Sequence, residues 1–473
     1  MNFKKFLDFL LGPVVVIILG FISIPLMTKL FSTEAIGKFA ILQVIITLSI
    51  VILSLGLDLS YIRNYYETDN KKSFLFITLI PGLAFLFFLV IISIFINPSV
   101  IVSEVFSSDN IYYFYISILS IFFSFLIRFF SLPLRMENKG KSFSIVQSCP
   151  KFFLFFFLLF SYCFNLVFDD SIWLLLAHST SLFLALVVNI FFLGTPLFSV
   201  NFSSFKISNY RELFRFGLPA AVSGLVFWLF QSSDKLLLKM LSPLSELGIY
   251  SVAFSVAAGV AVFSNVFNML WTPYIYEKLS DKGDVDGLEH FIDFYLMFTY
   301  FFLGIAIALS PMVTFFFSEE YSLIQYFIAC CALGFLFYSL SEMTAIGINI
   351  KKKTAVGLVA TVLSAIFGII ISYFLVLYFS AVGAAIGMLI SYWIYMVLRT
   401  EVSIQVWKMV DRIKIYSITF ISLSFSSLFA IFKLKEYGSV IFWVIIYYII
   451  GILIFRKTYK QTIKFVFKLK SSN

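Results

Sequence analysis

Residues 74–96 read FLFITLIPGLAFLFFLVIISIFI, without a single charged side chain. A helix crosses the hydrocarbon of a bilayer with about 20 apolar residues, and this run is long enough. Backbone groups in lipid find no partner outside their own segment, so the run reads as a helix and not as an open strand. Lys71 and Lys72 stand just before it, where basic side chains mark a cytoplasmic helix end. Working outward in both directions, similar runs occupy 10–31, 38–59, 111–132, 143–164, 172–194, 216–240, 247–270, 292–316, 323–348, 355–378, 381–398, 415–432 and 438–455. The expectation is an all-α integral membrane protein of about fourteen transmembrane helices.

Composition agrees. The chain of 473 residues is 61% hydrophobic and 12% charged, with a mean hydropathy of +1.01. A soluble domain is about 25% charged, so a water-soluble fold is excluded. The net charge of +9 does not point to nucleic acid, because the bases cluster at helix ends, where anionic lipid headgroups lie. Alternating sides from a cytoplasmic start places most of the 34 lysines and arginines inside. They include Arg63, Lys71 and Lys72, then Arg135, Lys139, Lys141 and Lys151, then Lys351 to Lys353. The outside segments hold only Lys29, Lys38, Lys239, Lys433 and Lys435, while Arg128 and Lys235 fall within helices. That asymmetry puts both termini in the cytoplasm. The first apolar run reads as a signal anchor, since no small-residue cleavage site follows it. The basic and apolar alternation from Arg456 to Lys470 reads as an amphipathic helix on the inner leaflet or as a frayed tail.

The four cysteines lie in or beside apolar runs and read as small core residues. Neither zinc spacing nor a phosphate-binding Gly-x-x-x-x-Gly-Lys-Ser/Thr loop occurs, so no metal and no cofactor are expected, and the chain is not an ATPase by itself. No loop is long enough to hold a soluble catalytic unit.

A repeat organises the helices. One constant shift carries Gly37 onto Gly248, Phe39 onto Tyr250, Asn138 onto Asn349 and Lys141 onto Lys352. Six helices per half gives both halves the same orientation, a parallel repeat. The expected organisation is an N-terminal six-helix lobe over 1–197, a cytoplasmic linker over 198–215, and a C-terminal six-helix lobe over 216–400. Helices 13 and 14 and a basic tail fill 401–473.

The loop Glu34-x-x-Gly37-x-Phe39, after a first helix with Pro13 and Pro25, resembles the polysaccharide transporter branch of the multidrug/oligosaccharidyl-lipid/polysaccharide exporter superfamily. So do Gly56-Leu57 and Arg63 at the close of the second helix, and Gly217-Leu218-Pro219 opening the seventh. Asp234-Lys235 and Gly248-Ile249-Tyr250-Ser251 complete the likeness; the family commonly has Asp-Arg where Asp234-Lys235 stands. Within that superfamily the O-antigen repeat-unit flippases are the nearest likeness. The resemblance implies a flippase of the bacterial inner membrane, not an enzyme. It would move an undecaprenyl-diphosphate-linked oligosaccharide by alternating access, coupled to an ion gradient. Implied partners are the lipid-linked substrate, membrane lipids, and the polymerase and chain-length proteins of the same pathway, with no nucleic acid. The alternatives are a multidrug or ion antiporter of the same superfamily and, further off, a membrane polysaccharide polymerase.

A diphosphate cannot cross hydrocarbon unpaired, so ionisable groups within the helices become the candidate site. Arg128 and Arg135, seven residues apart on one helix face, are candidate diphosphate contacts, as are Lys235 and Arg63; the bland reading is snorkelling to headgroups. Asp234, Glu342 and Asp58 are candidates for counter-charge or proton coupling, with Asp58 alternatively pairing Arg63. His178 titrates near neutrality when unperturbed and joins them, or is simply a packing residue. Trp228, Trp271, Trp393 and Tyr392 could stack on sugars, or anchor helices at the interface.

Overall fold

The computed structural model describes residues 3–166, 170–194, 207–282, 288–407, 410–433 and 437–470. Regular structure among these residues is entirely helical, and twelve helices are long and apolar enough to cross a membrane. The expectation of about fourteen exceeds that by two for identifiable reasons. Segments 355–378 and 381–398 fall in one helix of 53 residues that is broken at Ser380. The last segment corresponds to Val440–Arg456, a shorter apolar stretch. Large apolar side chains such as Phe95 (85% exposed) and Phe191 (79%) face outward, which is stable only against lipid.

The chain groups into two compact units, Met1–Leu236 and Leu237–Asn473. Of the expected linker 198–215, residues 198–206 lie outside the described residues, and helix begins again at Ile207.

The first unit holds α1 (Phe3–Leu30), α2 (Thr33–Ser54), α3 (Leu57–Asn64), α4 (Lys71–Ile96), α5 (Pro98–Phe106), α6 (Tyr112–Met136), α7 (Gly140–Phe164), α8 (Asp170–Leu193) and most of α9 (Ile207–Leu241). Ser32 caps α2, its hydroxyl accepting the Ala35 N–H at 3.2 Å, which satisfies a backbone donor left over at the helix start. The carboxylate of Asp170, opening α8, accepts the Ser32 N–H at 3.0 Å and ties that cap to a second helix. Two successive left-handed residues, Leu55 (φ 48°) and Gly56 (φ 69°), break α2 from α3. Below the break, Tyr61, Phe74, Phe125 and Phe129 form a buried aromatic core. Gly82 lets α4 approach α2 closely, since a Cβ there would lie 2.4 Å from the Leu53 carbonyl oxygen.

The second unit holds α10 (Leu244–Lys282), α11 (Leu288–Leu309), α12 (Ile324–Thr344), the short α13 (Ile346–Ile350), α14 (Thr354–Val406), α15 (Arg412–Phe432) and α16 (Tyr437–Lys470). Its centre is α12, most of whose residues are buried, against which α10, α11, α14 and α15 pack. Cys330 and Cys331 are buried there, and Cys149 is buried in α7, as expected of core residues, whereas Cys163 near the end of α7 is exposed. The Tyr300 and Tyr447 rings stack at 3.9 Å, joining α11 to α16, and the Tyr300 hydroxyl donates to the Tyr447 carbonyl at 2.9 Å.

Helix ends at positions the expected repeat would match can be compared. Phe31 N–H bonds the Met27 carbonyl and Ser242 N–H bonds the Leu238 carbonyl, ordinary last-turn bonds of their helices. Further on, Lys139 N–H bonds Leu134 O at 3.0 Å around left-handed Asn138, and Lys353 N–H bonds Ile348 O at 2.9 Å around left-handed Lys352. Both are Schellman caps. The cap at Asn138 is thus like that at Lys352, three residues beyond the Asn349 that the constant shift selects.

Candidate functional site

Breaking α2 at Leu55–Gly56 turns the first residues of α3 toward α6. Asp58 lies in the first turn of α3, and Arg128 lies two turns before the end of α6. Arg128 Nε and Nη2 both donate to Asp58 Oδ2, at 3.1 and 2.7 Å. The Asp58 side chain is 7% exposed and that of Arg128 is 44% exposed, so the pair presents mainly its cation.

That cation opens on a cavity of about 380 Å³ bounded by α2, α3, α6 and α9. From α9 it receives Ala220, Gly224, Phe227, Trp228 and Gln231, positions that recur at helical spacing and share a face. The small residues leave the space; the larger ones line it. Trp228 is fixed by its indole N–H donating to Thr47 Oγ1 at 3.1 Å. α9 reaches the break between α2 and α3 through a glycine pair: a Cβ on Gly56 would lie 1.9 Å from the Gly217 carbonyl oxygen. The Ser60 hydroxyl donates to the Leu213 carbonyl at 2.9 Å, and the Arg63 guanidinium lies over the Phe216 ring at 4.5 Å. Two stretches quoted from sequence, Gly56-Leu57 with Arg63 and Gly217-Leu218-Pro219, therefore meet at the Gly56–Gly217 contact, and Gly56 itself lines the cavity.

Of the candidate residues, the structure brings Arg128 and Asp58 together at this cavity. Asp58 pairs with Arg128 and not with Arg63, which faces Phe216 instead. Arg135 is exposed in the last turn of α6. Asp234 is buried and Lys235 partly buried one turn beyond Gln231 on α9. Glu342 belongs to the second unit, where it pairs with Arg399; Arg399 also donates to the Tyr395 hydroxyl at 2.6 Å. His178 is buried in α8 with its ring edge-on to Phe39 at 5.1 Å, and its Nδ1 has no hydrogen-bond partner among the described residues.

Two residues were missed. Lys151, counted with the cytoplasmic bases, sits in the middle of α7; the signal was its place inside the apolar run 143–164. Arg399, counted the same way, is 9% exposed; its spacing of four from Tyr395 put both on one helix face.

At the end of α3 a second, polar cavity of about 430 Å³ is lined by Asn64, Glu67, Asp69, Asn70 and Glu212 among others. Beside it, burial and the neighbouring Glu137 carboxylate push the Tyr65 phenol up to about 12. Among the described residues no group of three His, Cys, Asp or Glu side chains could hold a metal. Chemically, the α9 cavity offers one fork-shaped cation, two aromatic faces and amide and hydroxyl groups. Arginine's planar fork suits the oxygens of a phosphate, and an aromatic face suits the apolar side of a sugar.

Residues 3–278 match a family described as polysaccharide biosynthesis protein. No curated protein matches the chain. Among solved structures, the lipid II flippase MurJ in an inward closed conformation is 17% identical. That match covers 94% of this chain and 98% of the other, with a TM-score of 0.69. An inward-facing multidrug resistance MATE family transporter of the MOP superfamily is 14% identical over 86% of this chain and 96% of its own, with a TM-score of 0.59. A Vibrio cholerae MATE transporter is 13% identical over 85% and 95%, with a TM-score of 0.55. At these identities the likeness is one of fold: the arrangement of helices is that of MurJ and MATE membrane transporters.

Proposed function

This chain belongs to the polysaccharide biosynthesis protein family, and from that premise we propose that it is a flippase for a lipid-linked oligosaccharide. Its substrate is an undecaprenyl-diphosphate-linked repeat unit of O-antigen or a related polysaccharide, carried across the bacterial inner membrane by alternating access. The observation that carries this reading is Arg128, partly exposed in a cavity among membrane-crossing helices while paired with Asp58. An isoprenoid tail is at home in lipid. Diphosphate and sugar need a cation and polar groups to leave water, and this cavity supplies both beside Trp228 and Phe227. The polymerase and chain-length proteins of the pathway are natural partners, receiving the unit on the far side.

Deleting the gene tests the reading. Surface polysaccharide is expected to disappear while lipid-linked units accumulate on the cytoplasmic leaflet. Normal polysaccharide in a strain with no second flippase would refute it.

A further inference from the structure

We propose that the polar cavity at the end of α3 is a glycan subsite, which holds an uncharged sugar of the lipid-linked oligosaccharide through its hydroxyl groups. The inference rests on reading the α9 cavity as the diphosphate site.

The two cavities lie along one seam. α3 and α9 meet where Gly56 faces Gly217 and again where the Ser60 hydroxyl donates to the Leu213 carbonyl. Asp58 and Ala220 line the α9 cavity, while Asn64 and Leu213 line the polar one. Six residues of α3 and seven of α9 separate the two levels, which is about 10 Å at the rise of an α-helix. A short oligosaccharide spans that interval, so a diphosphate on Arg128 leaves its outer sugars level with the polar cavity. This end of α3 is the one that the lysine and arginine skew assigns to the cytoplasm, the side from which the substrate of a flippase is loaded.

The lining is that of a sugar site rather than of an ion site. A volume of about 430 Å³ falls within the roughly 300–1,000 Å³ of small-molecule pockets. The floor is apolar, made by the buried Phe74, Ile77 and Leu213. The rim mixes acceptors with donors: Glu67, Asp69 and Glu212 bring carboxylates, and Asn64 and Asn70 bring amides. The Asn70 side-chain oxygen accepts the Ser73 N–H at 3.1 Å, which leaves its amide N–H groups to donate. Sugar hydroxyls donate to the carboxylates, a charge-assisted bond about twice as strong as a neutral one, and the amides donate to sugar oxygens. Among the described residues no group of three acidic, His or Cys side chains could hold a metal. Exposed Arg63, Lys71, Lys72, Arg211 and Arg215 flank the lining residues in sequence, so a basic peptide would be repelled around the rim. A sugar bearing a carboxylate would meet three of its own sign inside. An uncharged sugar avoids both penalties.

The test is calorimetry of the full-length protein in lipid nanodiscs with three probes. They are farnesyl diphosphate, the same diphosphate carrying a trisaccharide of N-acetylglucosamine, and a version of that trisaccharide ending in glucuronate. The wild type is expected to bind the neutral trisaccharide probe at least about tenfold more tightly than farnesyl diphosphate, and more tightly than the glucuronate-ended probe. Glu67→Gln combined with Glu212→Gln, both at exposed positions, is expected to erase the gain and leave farnesyl diphosphate binding unchanged. Equal affinity of the wild type for farnesyl diphosphate and the neutral probe would overturn the subsite and leave the α9 cavity's assignment standing. So would a gain retained in the double variant, or a glucuronate-ended probe bound as tightly as the neutral one. Arg128→Gln is expected to weaken all three probes by a similar factor; unchanged binding there would overturn the α9 cavity's assignment, and the subsite with it. If the double variant does not fold, Asp69→Asn in the exposed turn before α4 decides: a reduced gain supports the subsite, and a full gain overturns it.

Discussion

Asp58 is buried and would be an uncompensated charge without Arg128, so removing the arginine alone is strongly destabilising. The informative change therefore removes both charges. Arg128→Gln combined with Asp58→Asn should leave the protein folded and abundant in membranes by immunoblot. Transport, read as surface polysaccharide, should fall at least about tenfold, as expected when a charge-assisted contact of about 1.5–3 kcal/mol is lost. The second-unit pair behaves differently. Arg399 is 9% exposed, so Glu342→Gln should destabilise by about 3–5 kcal/mol, seen as a lower melting temperature in detergent. Adding Arg399→Met should recover much of that loss. The sequence marked Arg128, Asp58 and Glu342 because charge is rare inside apolar runs. It could not show their partners, since Asp58 and Arg128 are 70 positions apart and Glu342 and Arg399 are 57 apart. Lys151 escaped because bases were assigned to the nearest loop, although the run around it was already long enough to be a helix.

Among the elements, the junction of α3 with α9 matters most to the site. Gly56 needs its left-handed φ of 69°, and a Cβ there would meet backbone atoms of Gly217 at 1.9 to 2.8 Å, so no side chain can rotate to relieve it. Gly56→Ala should lower the melting temperature by several degrees and impair transport. Gly224→Ala, where the added methyl would find only Val51 Cγ1 at 3.6 Å, should change stability little. Comparing the two variants by thermal unfolding separates a required close approach from mere small size. Helix positions were legible because each crossing needs an unbroken apolar run. The breaks were less so. Leu55 and Ser380 adopt left-handed backbone through tertiary packing rather than local propensity, and α5 lay in what read as a loop. The glycines at 56 and 217 were singled out through family resemblance; that they touch is a fact of the fold alone.

In the whole molecule, two units each build a helical bundle around buried aromatic or small residues and turn apolar side chains to lipid. The skew of lysine and arginine along the sequence predicts that both chain ends lie on the cytoplasmic side. A fluorescent protein fused to the C-terminus should therefore fluoresce, and an alkaline phosphatase at the same point should stay inactive; the reverse pattern would mean an odd number of crossings. Membrane class, helical architecture and family could be read from composition, run length and a few short motifs. The cavity could not, because its walls bring α2 and α3 together with α6 and α9, which lie far along the chain. The most direct measurement uses purified protein in liposomes carrying a diphosphate-linked oligosaccharide lipid in the outer leaflet. An added membrane-impermeant glycosidase reads how much glycan remains outside. A flippase with Arg128 in its path should make a growing fraction inaccessible, and the double variant Arg128→Gln with Asp58→Asn should not. Glycan that stays fully accessible with the wild-type protein, or equal protection by the variant, would contradict the proposed transport through this cavity.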